Sequence, residues 1–583
     1  MRFTLLSEEV PFYTPVEQIF SNRGIPVGEI THYKNVSIED THNAGVFENI
    51  GAGASLLAKH VRASNKVGIL VDCDADGFTS SALLTNYLQI LFPSWASKYI
   101  IHFFHEDKQH GLKDSVDAII KSGIKMIIVP DAGGGDGEYA EILKSNGIDV
   151  LIIDHHHTTL EACGPAVVIN NQLGAYPNKT LSGVGVVYKF CEYLDALIGV
   201  QYAPRFMDLV AVGCVADLMP LNEYETLYYI REGINNLNNP FISTMAREQE
   251  YSINKHGGLD PYAIGFYIAP FINATIRVGT MDEKKMLFDA MLDSRGTNLV
   301  PSGKRGHKGE MVPLAEEACR VCANVKSRQT NLRDSNLLTI EKIIEEQNLL
   351  ENKLIAVKLP KELGMDKNIL GLIANILMDK YQRPILLLNE SEEEIEGNKI
   401  PVWAGSCRNY KYSEIENFRS FIEEAPQTLY AQGHASAFGT AIPQDKFDEF
   451  IEYSNEALKD IDFSPMYRVD CIFKENDDAS YFLTIDSLKC YYGQGFEEPY
   501  IAITDIHVNS NNMTLMSKDK NPTIKIILPN GAEIMKFKSS QEEYEALLDT
   551  VIDVVGKCSA NTWMGRTTPQ VLVEEYEIKR MDF

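Results

Sequence analysis

Residues 67–80, VGILVDCDADGFTS, place Asp72, Asp74 and Asp76 at every second position directly after an apolar run. Carboxylates this close repel one another unless cations neutralise them, and hard divalent metals prefer oxygen ligands. Gly77 permits a sharp turn, and small hydroxyl residues follow. The stretch therefore points to metal chemistry at the end of a buried strand; the plainer reading is a solvated acidic turn.

Three further segments bear on that choice. KMIIVPDAGGGD (125–136) ends its apolar run at Asp131 before three glycines. DVLIIDHHHTT (149–159) ends in Asp154, His155, His156 and His157. In MDLVAVGCVADLMPL (207–221), Asp217 interrupts an apolar stretch, where an unpaired buried carboxylate is costly. Asp208 is the rival acid there, but it precedes the apolar run and suits the start of the segment. His155 alone would fit a core histidine, whereas beside Asp131 and the triple aspartate it reads as a ligand.

The elements that must carry these groups follow from periodicity. Apolar strand-like runs at 67–71, 98–104, 125–130, 149–154 and 166–170 alternate with helical patterns such as SALLTNYLQILF and VDAIIKSG. Such alternation implies a mainly parallel sheet covered by helices, and ligands bind such sheets at the C-terminal ends of the strands. Three strands place Asp or His at that end.

The chain of 583 residues is too long for one core, so two to four domains are expected. Its net charge is 54 − 81 = −27, which argues against a general polyanion-binding surface but leaves room for a local basic groove or for metal ions where phosphate is handled. The N-terminus lacks a signal-peptide pattern, the ten cysteines are scattered, and no apolar run approaches the ~20 residues of a membrane span, so a cytoplasmic setting without membrane contact is expected. Cys319 and Cys322 form the only CxxC pair, and their surroundings read as helix.

DCDADG, the strand-end VPDAGG, DHH and GCVAD resemble the four motifs of the DHH phosphoesterase superfamily, and within it the RecJ-like single-strand-specific 5′ to 3′ DNA exonucleases. TLSGVGVVYKF (180–190), GCVADLMPL and HGLKDS (110–115) are similar to further segments of that family, and the cover runs from about residue 20 to about residue 510. APFINATIR (269–277) resembles the family's GPRINAAGR, with Phe271 where the family has arginine. VWAGSCRN (402–409) resembles GSxRS, and AQGHASAFG (431–439) resembles the GGGHxxAAG signature with Ala431 and Gln432 in place of two glycines. CYYGQGFEEPY (490–500) resembles PFGxGNPEP.

The resemblance implies an α/β fold with four parts: a parallel-sheet DHH domain (1–225), a helical connector (226–350), a second α/β DHH-associated domain (351–463) and a C-terminal OB-like β-barrel (464–583). It implies two divalent cations, Mn2+ or Mg2+, with Asp74 and Asp131 on one, and Asp76, Asp131, His155 and Asp217 on the other. Asp72 would be a further ligand or sit behind the ligands, Asp154 would orient the histidines, and His156 would meet the scissile phosphate. Asn273, Arg277, Ser406, Arg408, Gly433 and His434 would bind substrate. In the last domain YFLTIDSL, YIAITDIHV, TIKIILP and AEIMKFK read as strands and QEEYEALLDTVIDVVGKC as a helix, while Tyr491, Tyr492, Phe496 and Tyr500 are available to stack on bases. The expected activity is metal-dependent exonucleolytic digestion of single-stranded DNA to mononucleotides in recombination, repair or replication, by a monomer fed by a single-strand-binding protein or helicase. Two rivals are a phosphodiesterase for oligoribonucleotides or cyclic dinucleotides, and a non-catalytic scaffold; the latter has little use for clustered, mutually repelling carboxylates.

Overall fold

Five parallel strands form the sheet that carries the acidic motifs, in the order Ile100–Phe104, Val67–Val71, Met126–Pro130, Asp149–Asp154, Val167–Asn170. The computed structural model describes all residues except 107–108, 396, 518–520 and 582–583. It divides the chain into two units: Arg23–Ser327 with Leu488–Glu498, which holds this sheet, and Met1–Asn22 with Arg328–Ser487 and Pro499–Phe583.

In the first unit, Val67–Val71 and Met126–Pro130 are buried at every position. Both faces of the sheet are covered, which is why these runs are continuously apolar rather than alternating. Leu70, Ile127, Val129, Ile152 and Val168 share one core cluster. The helix after the first aspartates, Ala75–Leu91, is buried from Ala75 to Leu88, so it lies inside the unit rather than on its surface. Helix Met207–Ala216 is almost as enclosed. Parallel pairing brings all five C-terminal strand ends to one edge.

The connector is helical, from Tyr224–Asn235 through Ala269–Val278 to Leu314–Glu346. Cys319 and Cys322 are buried in the last of these helices, as the CxxC surroundings suggested. The basic span 294–313, which reads as a loop, contains an antiparallel pair, Leu299–Pro301 with Met311–Pro313. The Gly303 N–H donates to Glu317 Oε1 (3.1 Å), tying the hairpin to the helix behind it, while Lys304, Arg305, His307 and Lys308 stand exposed at its tip.

The second unit contains two larger sheets. One has the order Tyr430–His434, Ala437–Pro443, Asn398–Arg408, Ile385–Ile395, Ile355–Leu359 and covers the expected DHH-associated segment. The other, in the OB segment, has seven strands: Cys471–Lys474, Ile501–Val508, Thr550–Trp563, Arg566–Met581, Glu533–Phe537, Thr523–Ile527 and Met513–Met516, in sheet order.

The sequence expectations for the C-terminal part need four corrections. YFLTIDSL is helical over Ser480–Asp486: the Asp478 side chain accepts from the Ser480 N–H, and Phe482 and Ile485 bury one face at helical spacing. The expected helix from Gln541 stops at Leu547, and the β-branched run that follows enters the long strand Thr550–Trp563. Residues 1–22 belong with the C-terminal unit, because Arg2–Leu5 pairs in parallel with Met466–Val469. Residues 488–498 belong with the first unit: the Leu221 N–H donates to the Gln494 carbonyl (2.7 Å), and Phe496 stacks on Tyr33. That placement removes Tyr492 and Phe496 from a stacking role, since both are buried; Tyr491 packs against Tyr33 and beneath Arg231, and Tyr500 is hydrogen-bonded to Tyr412 (2.8 Å).

Candidate metal centre

The three aspartates of the first motif differ in role because a helix begins among them. Asp72 ends the strand connection and is buried. Asp74 is the N-cap of Ala75–Leu91, its carboxylate accepting from the Gly77 N–H (2.9 Å), and Asp76 lies in that helix's first turn. Negative charge is favoured at a helix N-terminus, where free N–H groups and the aligned peptide dipoles converge. Asp76 also receives a second helix: the N–H groups of Gly183 (2.8 Å) and Val184 (3.0 Å), opening Gly183–Ile198, donate to its two oxygens.

Asp131 is the most constrained member. Its backbone sits at φ +65°, a left-handed conformation that non-glycine residues seldom adopt, and its N–H donates to the Ile153 carbonyl (2.8 Å) of the neighbouring strand. Its Oδ1 is buried and accepts no hydrogen bond among the described residues, although His155 Nε2 lies 3.3 Å away. His155 Nε2 is also 3.5 Å from Asp217 Oδ2. Donor atoms of Asp76, His155 and Asp217 fall within 4.8 Å of one another, as do those of Asp72, Asp74 and Asp131. The structure thus brings together all six residues expected as ligands, in two groups with Asp131 touching both.

Electrostatics of the bare carboxylates match that arrangement. Burial, aggravated by the neighbouring aspartates, pushes Asp76 and Asp131 well above the usual carboxylate range, and burial with Asp74 lifts Asp217 to about 7. Such a cluster is unfavourable until cations screen it, and the unpartnered Asp131 oxygen fits a ligand position. An all-carboxylate set with a single imidazole suits Mn2+ or Mg2+ better than zinc.

Asp154 is buried behind this cluster. It accepts from His156 Nδ1 (2.8 Å) and from the N–H groups of His155 (2.7 Å) and Gly134 (3.0 Å). Although burial pushes it up, the hydrogen bond and charge of His156 hold it down at about 2. In return, the Asp154 hydrogen bond raises half-exposed His156 to about 9, whereas burial lowers His155 to about 4. Two adjacent histidines are thereby divided, a neutral ring beside the carboxylates and a cationic ring facing outward. Asp208, the rival acid, accepts from the N–H groups of Asn238 (2.7 Å) and Asn239 (2.5 Å) and stands apart as a structural cap.

Glycines decide how closely these pieces approach. A Cβ on Gly183 would meet Asp131 Oδ1 at 2.1 Å, and one on Gly213 would meet Asp76 Oδ1 at 2.6 Å. Sequence reading passed over two histidines. His110 of the HGL segment lies with Nδ1 2.5 Å from Asp72 Oδ2, and buried His105 has Nε2 3.7 Å from Asp72 Oδ1. Their signal was two imidazoles within six residues after an apolar strand, in the loop from the strand beside the triple aspartate.

Of the expected substrate residues, Arg277 is near the acidic cluster: burial disfavours its charge while Asp74 and Cys73 favour it. Asn273 lies one turn earlier on the same face of Ala269–Val278. In the other unit, strand register assembles the rest. Arg408 and His434 both pair with Ala437, while Ser406 and Gln432 both pair with Gly439. Directly paired residues share a sheet face, so all four project on one side, and Arg408 Nη2 lies so near Gly371 that a Cβ there would stand 2.5 Å from it. Gly433, at φ +134°, takes a conformation reserved for glycine.

Comparisons with known proteins agree with this architecture. Residues 66–214 match the model of the DHH family N-terminal domain, 351–460 the DHHA1 domain, and 479–575 the RecJ OB domain. The chain is 33% identical over 589 residues, all of this chain and 99% of the other, to YorK, an SPbeta prophage-derived protein of Bacillus subtilis (strain 168) that carries the name of a single-strand DNA-specific exonuclease. It is 23% identical to the single-stranded-DNA-specific exonuclease RecJ of the same strain, covering 98% of this chain and 69% of that one. In fold it is similar to RecJ of Thermus thermophilus in complex with Mn2+, with a TM-score of 0.72 at 18% identity over 99% of this chain and 79% of that one. With a full-length relative above 30% identity and three domain models matched in order, the chain belongs to the RecJ-like single-strand-DNA-specific exonucleases of the DHH phosphoesterase superfamily.

Proposed function

We propose that this protein is a divalent-metal-dependent exonuclease that hydrolyses phosphodiester bonds of single-stranded DNA from the 5′ end and releases mononucleotides. The observation that carries the reading is Asp131: buried, held at φ +65°, one oxygen without a hydrogen bond among the described residues, and adjoining both carboxylate groups. Asp72, Asp74 and Asp131 would hold one cation, and Asp76, Asp131, His155 and Asp217 the other. Cations so held supply Lewis acidity to a phosphoryl group and a nucleophile at neutral pH.

The chain's own side chains do the remaining work. His155, neutral, presents a lone pair to the carboxylate pocket, and His156, cationic and oriented by Asp154, offers its free N–H to the scissile phosphate. Arg277 offsets charge beside Asp74. Arg408, Ser406, His434 and the Gly433 backbone would bind phosphates of the strand, where a planar guanidinium gives paired hydrogen bonds. The proposal extends, by analogy with the family, to a role in recombination, repair or replication, to monomeric behaviour and to delivery by a single-strand-binding protein or helicase.

The test is digestion of 5′-labelled and 3′-labelled single-stranded DNA with Mn2+, beside Asp131→Ala. Early release of the 5′ label as mononucleotide, abolished by the substitution, is expected. Inert DNA with turnover of dinucleotides would move the reading to small substrates, and no cleavage of either would leave a scaffold.

A further inference from the structure

A second kind of donor set adjoins the carboxylate centre. Cys73, between two of the aspartates, is buried, and its Sγ lies 3.7 Å from His110 Nε2. His110 Nδ1 is 2.5 Å from Asp72 Oδ2, and donor atoms of Asp72, Cys73 and His110 fall within 4.8 Å of one another. An independent observation concerns His105. Its side chain is 1% exposed, neither ring nitrogen has a hydrogen-bond partner among the described residues, and Nε2 lies 3.7 Å from Asp72 Oδ1. Burying an imidazole with both nitrogens unsatisfied is unfavourable unless a further ligand answers one of them.

We propose that Asp72, Cys73, His105 and His110 form a separate cation site of the zinc class, and that filling it restrains the neighbouring nuclease centre through the shared Asp72. The donor chemistry separates the two sites: one thiol, two imidazoles and one carboxylate suit a borderline ion, whereas the Asp131-centred groups offer almost only oxygen. Tetrahedral ligands at zinc distances of about 2.0–2.3 Å lie roughly 3.3–3.8 Å apart. Cys73 Sγ to His110 Nδ1 (3.9 Å) and His105 Nε2 to Asp72 Oδ1 (3.7 Å) lie close to that, whereas His105 stands outside the 4.8 Å group of Asp72, Cys73 and His110 and must move toward Cys73 and His110 to complete the set. The 2.5 Å His110–Asp72 pair must open by about 1 Å, which the His110 side chain, 48% exposed, is free to do. Binding releases the Cys73 thiol proton and any His110 proton shared with Asp72 to solvent. Asp72 cannot then serve the Asp74–Asp131 group in the same geometry.

The test uses the full chain with excess Mn2+. Cobalt(II) reports the thiolate directly, because sulfur-to-cobalt charge transfer absorbs in the near ultraviolet and the carboxylate centre contains no sulfur. The wild type should show that band and Cys73→Ala should lack it. Dialysis against zinc should give one more tightly held ion in the wild type than in Cys73→Ala, and His105→Gln should bind that ion about 10- to 100-fold more weakly. Circular dichroism establishes that each variant is folded, and Cys73→Ser, nearer in volume, replaces the alanine variant if it is not. These readouts need no DNA cleavage. The inhibitory arm rests on the proposed function: zinc should halve Mn2+-supported digestion at a concentration at least tenfold lower in the wild type than in the variant. Absence of the charge-transfer band in the wild type, or equal zinc counts with and without Cys73, overturns the proposal, including the case where zinc still inhibits, since it would then act at the Asp131 centre.

Discussion

Gly183→Ala isolates the closeness of packing at the centre from its chemistry. Gly183 opens the helix Gly183–Ile198, where alanine is intrinsically favoured over glycine by about 1 kcal/mol, so helix propensity alone predicts no loss of stability. The added Cβ, however, would stand 2.1 Å from Asp131 Oδ1 and 2.6 Å from Asp131 Cβ. Rotation of the carboxylate relieves the first contact but not the second, because the Cβ position is set by a backbone pinned at φ +65° and by the Ile153 hydrogen bond. Ordinary carbon contacts need about 3.5 Å, so Asp131 must retreat by roughly 1 Å. A displacement of that size costs about 100-fold in rate, or about 2.7 kcal/mol of barrier. The assay is kcat/KM on labelled single-stranded DNA with Mn2+, paired with the thermal midpoint. A fall of about two orders of magnitude with a midpoint within a few degrees of wild type is expected. A variant retaining more than a third of wild-type activity would refute the argument that Asp131 is held to this position by the helix start.

Other expectations follow from single contacts. Asp154→Asn removes the charge that orients His156 and should lower kcat about 10- to 100-fold with Mn2+ affinity changed far less, read by parallel kinetics and metal titration. Arg408→Lys keeps the charge but loses paired hydrogen bonding, and should raise KM for single-stranded DNA about tenfold with kcat little changed. Asp149 is held well below the usual carboxylate range because Lys144, Lys59 and His60 outweigh its burial. A depressed carboxylate contributes stability that is present above its unfolded value near 4 and is lost as pH falls through the lower folded value. Asp149→Asn should therefore cost roughly 1–3 kcal/mol in urea unfolding at pH 7, with the difference shrinking in acid. Of the ten cysteines nine are buried and Cys490 is exposed, so a thiol reagent should modify one rapidly in the folded protein and all ten in denaturant.

What local sequence determines about this protein is the sheet and its acidic edge. Continuous apolar runs at Val67–Val71 and Met126–Pro130 leave little alternative to doubly covered parallel strands, and charged residues at their ends have nowhere to go but the edge. Ser406, Arg408 and His434 stand out in the sequence only through resemblance to the GSxRS and GGGHxxAAG signatures; strand register puts them on one sheet face. Tertiary structure decided matters that depend on long-range pairing. The strand Arg2–Leu5 carries no signal of its own until Met466–Val469 pairs with it, and the run after Gln541 becomes strand because Ile501–Val508 and Arg566–Met581 flank Thr550–Trp563. It likewise divided His155 from His156, since their opposite protonation comes from burial on one side and Asp154 on the other. Nor does spacing along the chain bring His105 and His110 to Asp72: that follows from the pairing of Ile100–Phe104 beside Val67–Val71, which lays the succeeding loop against the first aspartate.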